Sequence, residues 1–191
     1  MLNPSFCLPS DIADLLDPDL PPLGPGTPKA RFEQLMEETS SETILGSAVI
    51  SPEDADCCLA GMWLWNGFLD RSHELSQNIE TPEGSWWHGI MHRREPDAGN
   101  AAYWFRRVGD HSLFSTLGEK VREHAKQTEL PDEAQWLSLC TDWKPQQFIE
   151  ACESARHDPN KVVCRVLREV AAIEWYILFD YCRSLACGNH R

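Results

Sequence analysis

The sequence predicts an all-α protein: a single-domain helical bundle over residues 29–191, preceded by an extended Pro-rich arm over residues 1–28. Three observations carry that expectation. Helix-start signals recur ahead of apolar stretches with helical period, no stretch alternates apolar and polar residues between hairpin turns, and seven of the 13 prolines fall in the first 28 residues.

The arm ends in the run DPDLPPLGPGTP. Proline fixes φ and donates no hydrogen bond, so this run enters neither a helix nor a ladder. Its apolar residues Phe6, Leu8, Leu15 and Leu16 are expected to lay it over the core. A short helix is expected over residues 29–39. Ser51-Pro52-Glu53-Asp54 combines a capping hydroxyl, proline at the first helical position and acids at the positive end of the helix dipole. A helix is therefore expected from there through Asn78. Thr81-Pro82-Glu83 repeats the signal and opens a helix that Pro96 should end. Asp97 is placed to cap the next one, which Gly109 should close. Further helices are expected over residues 112–127, 132–139, 145–157 and 160–185. There is no internal repeat.

At 191 residues the chain suits one domain with a full core. Its net charge of −13 opposes attraction to nucleic acid or to an anionic membrane surface, so neither is an expected partner. No run approaches the roughly 18 apolar residues of a membrane span, and the N-terminus has no basic region followed by a long apolar one. The eight cysteines form no C-x-x-C pair, and several lie on apolar helical faces where a thiol behaves as a small hydrophobe. These features read as a cytoplasmic protein.

Candidate chemistry concentrates in SWWHGIMHRREPD, residues 85–97. Positions i, i+4 and i+7 share a helical face, which aligns His88, His92 and Glu95, and two histidines four apart can reach one metal ion. In the last helix Val163, Leu167, Val170, Glu174, Ile177 and Tyr181 form a core stripe interrupted by one acid. A buried carboxylate needs a partner, either an arginine such as Arg106 or Arg107 or a metal. Upstream, Cys58, Met62, Trp65, Leu69 and His73 form another stripe, ending in a histidine. Facing helices of a bundle build metal sites in this way. The expected metal ligands are accordingly His73, His88, His92 and Glu174, a set suited to divalent Fe, Mn or Zn.

Arg93, Arg94, Arg106 and Arg107 give residues 86–107 a local balance of +2. Guanidinium forks grip carboxylate or phosphate, and the neighbouring Trp86, Trp87, Tyr103, Trp104 and Phe105 offer flat walls. With Asn100 and Tyr103, these arginines form the expected binding site for a small anionic molecule. The bland alternative is that they pair with the surplus of acids. Glu95 and His111 are the expected proton carriers. His124, His157 and His190 are assigned to solvent.

The segments HELSQ (residues 73–77), WHGIMHRREPD (87–97) and NAAYWFRRVGDH (100–111) resemble the signature of a family of uncharacterised bacterial and fungal proteins. The resemblance covers about residues 60–115 and implies that the run from His88 to His111 is a functional unit. It assigns no residue a role.

The leading expectation is a metal-dependent helical enzyme acting on a small anionic substrate. The alternatives are a non-catalytic binding module for an acidic small molecule, and a structural or interaction protein whose interior polar groups satisfy one another. The phosphate-loop, dinucleotide, nucleophile-elbow and H-E-x-x-H templates are absent.

Overall fold

A computed structural model describes residues 10–38, 40–158 and 160–188, and among them no strand occurs. Ten α-helices and one 3₁₀ segment follow in order: α1 (Ser10–Ala13), α2 (Ala30–Glu38), α3 (Ser41–Leu45), α4 (Pro52–Trp65), α5 (Leu69–Ser76), α6 (Pro82–Arg94), α7 (Ala98–Val108), α8 (Leu113–Lys126), the 3₁₀ segment (Asp132–Leu139), α9 (Pro145–Ala155) and α10 (Val162–Ala186). The all-α class is as the sequence predicts. No helix among the described residues is long and apolar enough to cross a membrane.

The capping chemistry read from the sequence sets the starts of the helices that matter most. Ser51 accepts a hydrogen bond from the Asp54 amide at the head of α4, Thr81 does the same for Gly84 in α6, and Asp97 for Asn100 in α7. Each satisfies one of the backbone donors that a helix N-terminus leaves open.

One expected helix is two. The chain was expected to run helically from Pro52 through Asn78, but α4 stops at Trp65 and α5 begins at Leu69. Gly67 between them has φ +85°, a left-handed conformation that only glycine adopts without strain. The dipeptide Asn66-Gly67 is itself a turn signal. Asn66 serves the arm as well: its side-chain oxygen accepts from the Asp17 amide, and its nitrogen donates to the Leu15 carbonyl.

The Pro-rich arm is partly helical and lies on the bundle. Ile12, Leu15, Leu16 and Leu23 are buried, while Phe6 and Leu8 lie outside the described residues. Its carbonyls, which proline-rich backbone cannot use internally, receive arginines. Arg94 donates to Gly24, Pro25 and Leu64, and Arg168 to Leu20 and Pro21.

Helix α6 is the axis of the molecule. It packs against α4, α5 and α7, and every residue from Glu83 to Arg94 is buried. Close packing on α7 depends on Gly89, where a Cβ would stand 2.9 Å from the Phe105 ring. Helix α10 closes the other side, with Trp175 stacked on Phe179 and edge-on to Trp65 and Trp87.

Candidate metal centre

A helix buried on all sides presents different neighbours to each of its faces, and that determines which of the expected site residues meet. At 100° per residue, Trp86 and Arg93 point within about 20° of one another and roughly 140–160° away from His88. Two separate polar clusters result.

The first contains the histidines. His73 on α5 and His88 and His92 on α6 each offer a ring nitrogen, and the three nitrogens lie within 4.8 Å of one another. The His88 and His92 Nε2 atoms are 3.0 Å apart. The rings of His73 and His88 have centroids 4.7 Å apart, and those of His73 and His92 5.6 Å. His88 and His92 are buried and His73 is partly exposed, so the cluster reaches the surface at α5.

The nitrogens on the far side of each α6 ring are also engaged. His88 Nδ1 is 3.1 Å from Ser76 Oγ, and His92 Nδ1 is 3.0 Å from Glu95 Oε2. Ser76 is fully buried, whereas the Glu95 side chain is 53% exposed, so the polar chain runs from the interior to solvent. Trp104 of α7 covers His88 at a ring distance of 4.0 Å, and the guanidinium of Arg107 lies 5.0 Å from the Trp104 ring. Burial, and then the neighbouring His92 and His73, push the His88 pKa down to about 3. His88 is therefore a neutral imidazole at ordinary pH, the form that binds metal.

Two imidazole nitrogens bound to one ion at about 2.0–2.1 Å stand roughly 2.8–3.4 Å apart for angles between square and tetrahedral. The α6 pair already has that separation. Each ring is also held through its other nitrogen by a hydroxyl or carboxylate, the outer support that orients metal-binding histidines. His73 must move inward to complete a three-histidine face.

The second cluster holds Glu174. It is fully buried, as its place in the α10 stripe predicts, but it is not among the grouped ligands. Its Oε2 accepts from Arg93 Nη2 at 2.5 Å and its Oε1 from the Trp86 indole at 3.0 Å. The expected metal role gives way to an ion pair, and the partner is Arg93 rather than Arg106 or Arg107.

The arginines do not form one pocket. Arg93 and Arg94 are buried and occupied as described, while Arg106, Arg107 and Tyr103 are exposed on α7. Asn100 is turned to its own helix cap, donating to Asp97 at 2.7 Å. His111 also stands apart from the other histidines. Its Nε2 is 3.1 Å from Glu83 Oε1, and its ring packs on Trp86, Phe114 and Tyr181. Burial alone would raise the Glu83 carboxyl, but hydrogen bonds from His111, its own backbone and Thr81, with the His111 charge, hold it below the usual value. His124, assigned to solvent by the sequence, is partly buried against Glu169 at 3.0 Å, whereas His157 is exposed and His190 lies outside the described residues. Ser76 is not singled out by the sequence, and Trp104 is named there only as one of the aromatic walls of the arginine cluster. Ser76 lies three residues after His73, and no polar pattern marked Trp104 apart from its aromatic neighbours.

Comparison of the chain with protein-family models, curated proteins and solved structures finds no match.

Proposed function

We propose that this protein is a metal-dependent helical enzyme whose His73, His88 and His92 hold one divalent first-row ion. The observation that carries the reading is the 3.0 Å approach of two Nε2 atoms whose Nδ1 partners are a hydroxyl and a carboxylate. An all-nitrogen set of three suits Zn(II) or Fe(II), Mn(II) losing its case with the Glu174 carboxylate, and leaves at least one coordination position for water or substrate. A metal there would supply Lewis acidity, polarising a substrate oxygen or activating a water. Glu95, exposed and hydrogen-bonded to His92, is the proton carrier of this proposal. Arg107, one ring away from His88 across Trp104, is the group that orients a small anionic substrate. The cytoplasmic location inferred from the cysteine pattern is retained as part of the proposal.

The structural alternative has a specific observation in its favour. Protons alone satisfy the chain if the Ser76 hydroxyl donates to His88 Nδ1, His88 Nε2–H donates to His92 Nε2, and His92 Nδ1–H donates to Glu95. Metal binding requires that His88 move its proton to Nδ1 and donate to Ser76 Oγ instead, and that His73 move inward. Metal analysis of untagged protein after reconstitution with Zn(II) or Co(II) separates the two. One ion per chain is expected, with loss of binding in folded His88→Ala and His92→Ala variants. Failure of the wild-type protein to retain stoichiometric metal leaves the proton-linked chain as the correct reading.

A further inference from the structure

Helix α5 supplies two parts of the histidine cluster: His73 itself and, three residues on, Ser76, whose hydroxyl lies 3.1 Å from His88 Nδ1. Its own seating is unlike that of its neighbours. Among the described residues of α5, Ser72 and Ser76 alone are buried, whereas α4 buries Met62, Trp63, Leu64 and Trp65 in its last turn and α6 every residue from Glu83 to Arg94. Leu69 and Leu75 reach the core only half-buried. Ser72 Oγ is buried and has no hydrogen-bond partner among the described residues. The inner face of α5 therefore offers little apolar burial and carries an unmet polar group, which loosens its hold on α6.

The outward ties of α5 are weak as well. Arg71 pairs with Glu37 of α2 at 2.8 Å with side chains 44% and 53% exposed, an ion pair that solvent screens, and its guanidinium lies 5.0 Å from the Trp63 ring. Phe68, which has no acceptor, holds the N-cap position, and Gly67 before it, at φ +85°, gives the chain a joint between α4 and α5. The three ring nitrogens lie within 4.8 Å of one another, while one ion holds imidazole nitrogens about 2.8–3.4 Å apart. The α6 pair is already at 3.0 Å on an enclosed helix, so the approach falls to His73, on the element held least.

We propose that α5 is a flap closed by the metal. Without the ion it swings from α6 about Gly67 and admits ion and substrate to His88 and His92; with the ion bound to all three histidines it is clasped shut. This inference rests on the three-histidine metal reading. The ion has three ligands in the closed form and only the α6 pair in the open one, so it binds the closed form more tightly and shifts the population toward it. Ser76 adds to the clasp, because metal-bound His88 donates through Nδ1–H to its hydroxyl and so links α5 to α6 a second time.

Hydrogen–deuterium exchange of the wild-type chain, metal-free and loaded with Zn(II), tests the flap, with metal content measured on the same samples. In the metal-free protein the α5 amides should exchange faster than those of α6 and α10, through local opening. One Zn(II) per chain should slow them about tenfold or more, the least that losing a support of a ligand costs in affinity. Folded His73→Ala should leave α5 fast at zinc concentrations that slow the wild type, and the wild-type measurements stand even if this variant does not fold. Metal-free α5 amides as protected as those of α6, or α5 exchange unchanged at one ion per chain, overturn the flap and leave the metal reading standing. A wild-type chain that retains no zinc overturns both.

Discussion

Arg93 and Glu174, 81 positions apart, meet at 2.5 Å in the interior, with the Trp86 indole bound to the second carboxylate oxygen. This pair fastens α6 to α10 on the face opposite His88. Removing one partner strands the other, which in a buried pair costs about 3–5 kcal/mol. Glu174→Gln should therefore lower stability by about that amount in urea unfolding, and Arg93→Met combined with Glu174→Leu should recover much of it. Folded Glu174→Gln should keep its metal stoichiometry. Loss of metal from that folded variant would return Glu174 to the ligand set.

Ser76→Ala separates the metal reading from the structural one. Deleting the hydroxyl leaves His88 Nδ1 without its partner in either case and should cost about 1–3 kcal/mol. If the histidines hold a metal, affinity should also fall about 10–100-fold, as when outer supports of ligands are removed. Competitive titration against a chelator reads the second effect, and a stability loss with unchanged affinity would mean that the hydroxyl does not orient His88 for a metal.

The low pKa of His88 has a direct consequence for the metal-free protein. The folded value is about 3 and the ordinary value 6.5, so between these limits the unfolded chain binds more protons than the folded one. Stability contributed by neutral His88 is present above about pH 6.5 and is lost as pH falls toward about 3, with a slope of at most roughly 1.4 kcal/mol per pH unit from this group. His88→Gln should flatten the profile in that window when unfolding free energy is measured from pH 7 to 4. An unchanged slope would show that His88 titrates normally.

Gly67→Ala tests how firmly the α4–α5 turn positions His73. A Cβ there would meet Pro28 backbone atoms at an ordinary 3.5 Å, so the cost is conformational rather than steric. A left-handed alanine should lose about 1–2 kcal/mol. Shifting α5 also shifts His73, and metal affinity should fall while His88 and His92 remain in place. Unaltered stability would mean the turn relaxes freely.

Helix starts were legible because they are local: Ser51, Thr81 and Asp97 cap their helices through atoms three residues away. The meeting of His73, His88 and His92 was legible too, since each lies on an inward stripe. Burial of Glu174 followed from its apolar neighbours one and two turns away. Its partner was not legible, because the histidine spacing marks a single inner face on α6. A helix enclosed on every side has no outer face, and the 100° step that carries His88 toward α5 carries Arg93 toward α10. The Asn66-Gly67 break is written in the chain, but the apolar stripe from Cys58 to His73 keeps its helical spacing through it.

The arginine contacts with Leu20, Pro21, Gly24 and Pro25 also define where the polypeptide tolerates shortening. A derivative trimmed to start at Ala30 would remove every arm acceptor used by Arg94 and Arg168 and uncover Trp65 and Trp175 together. Its expected fate is precipitation during expression rather than a smaller soluble product, which makes the proline-rich stretch an internal component of the fold despite its linker-like composition.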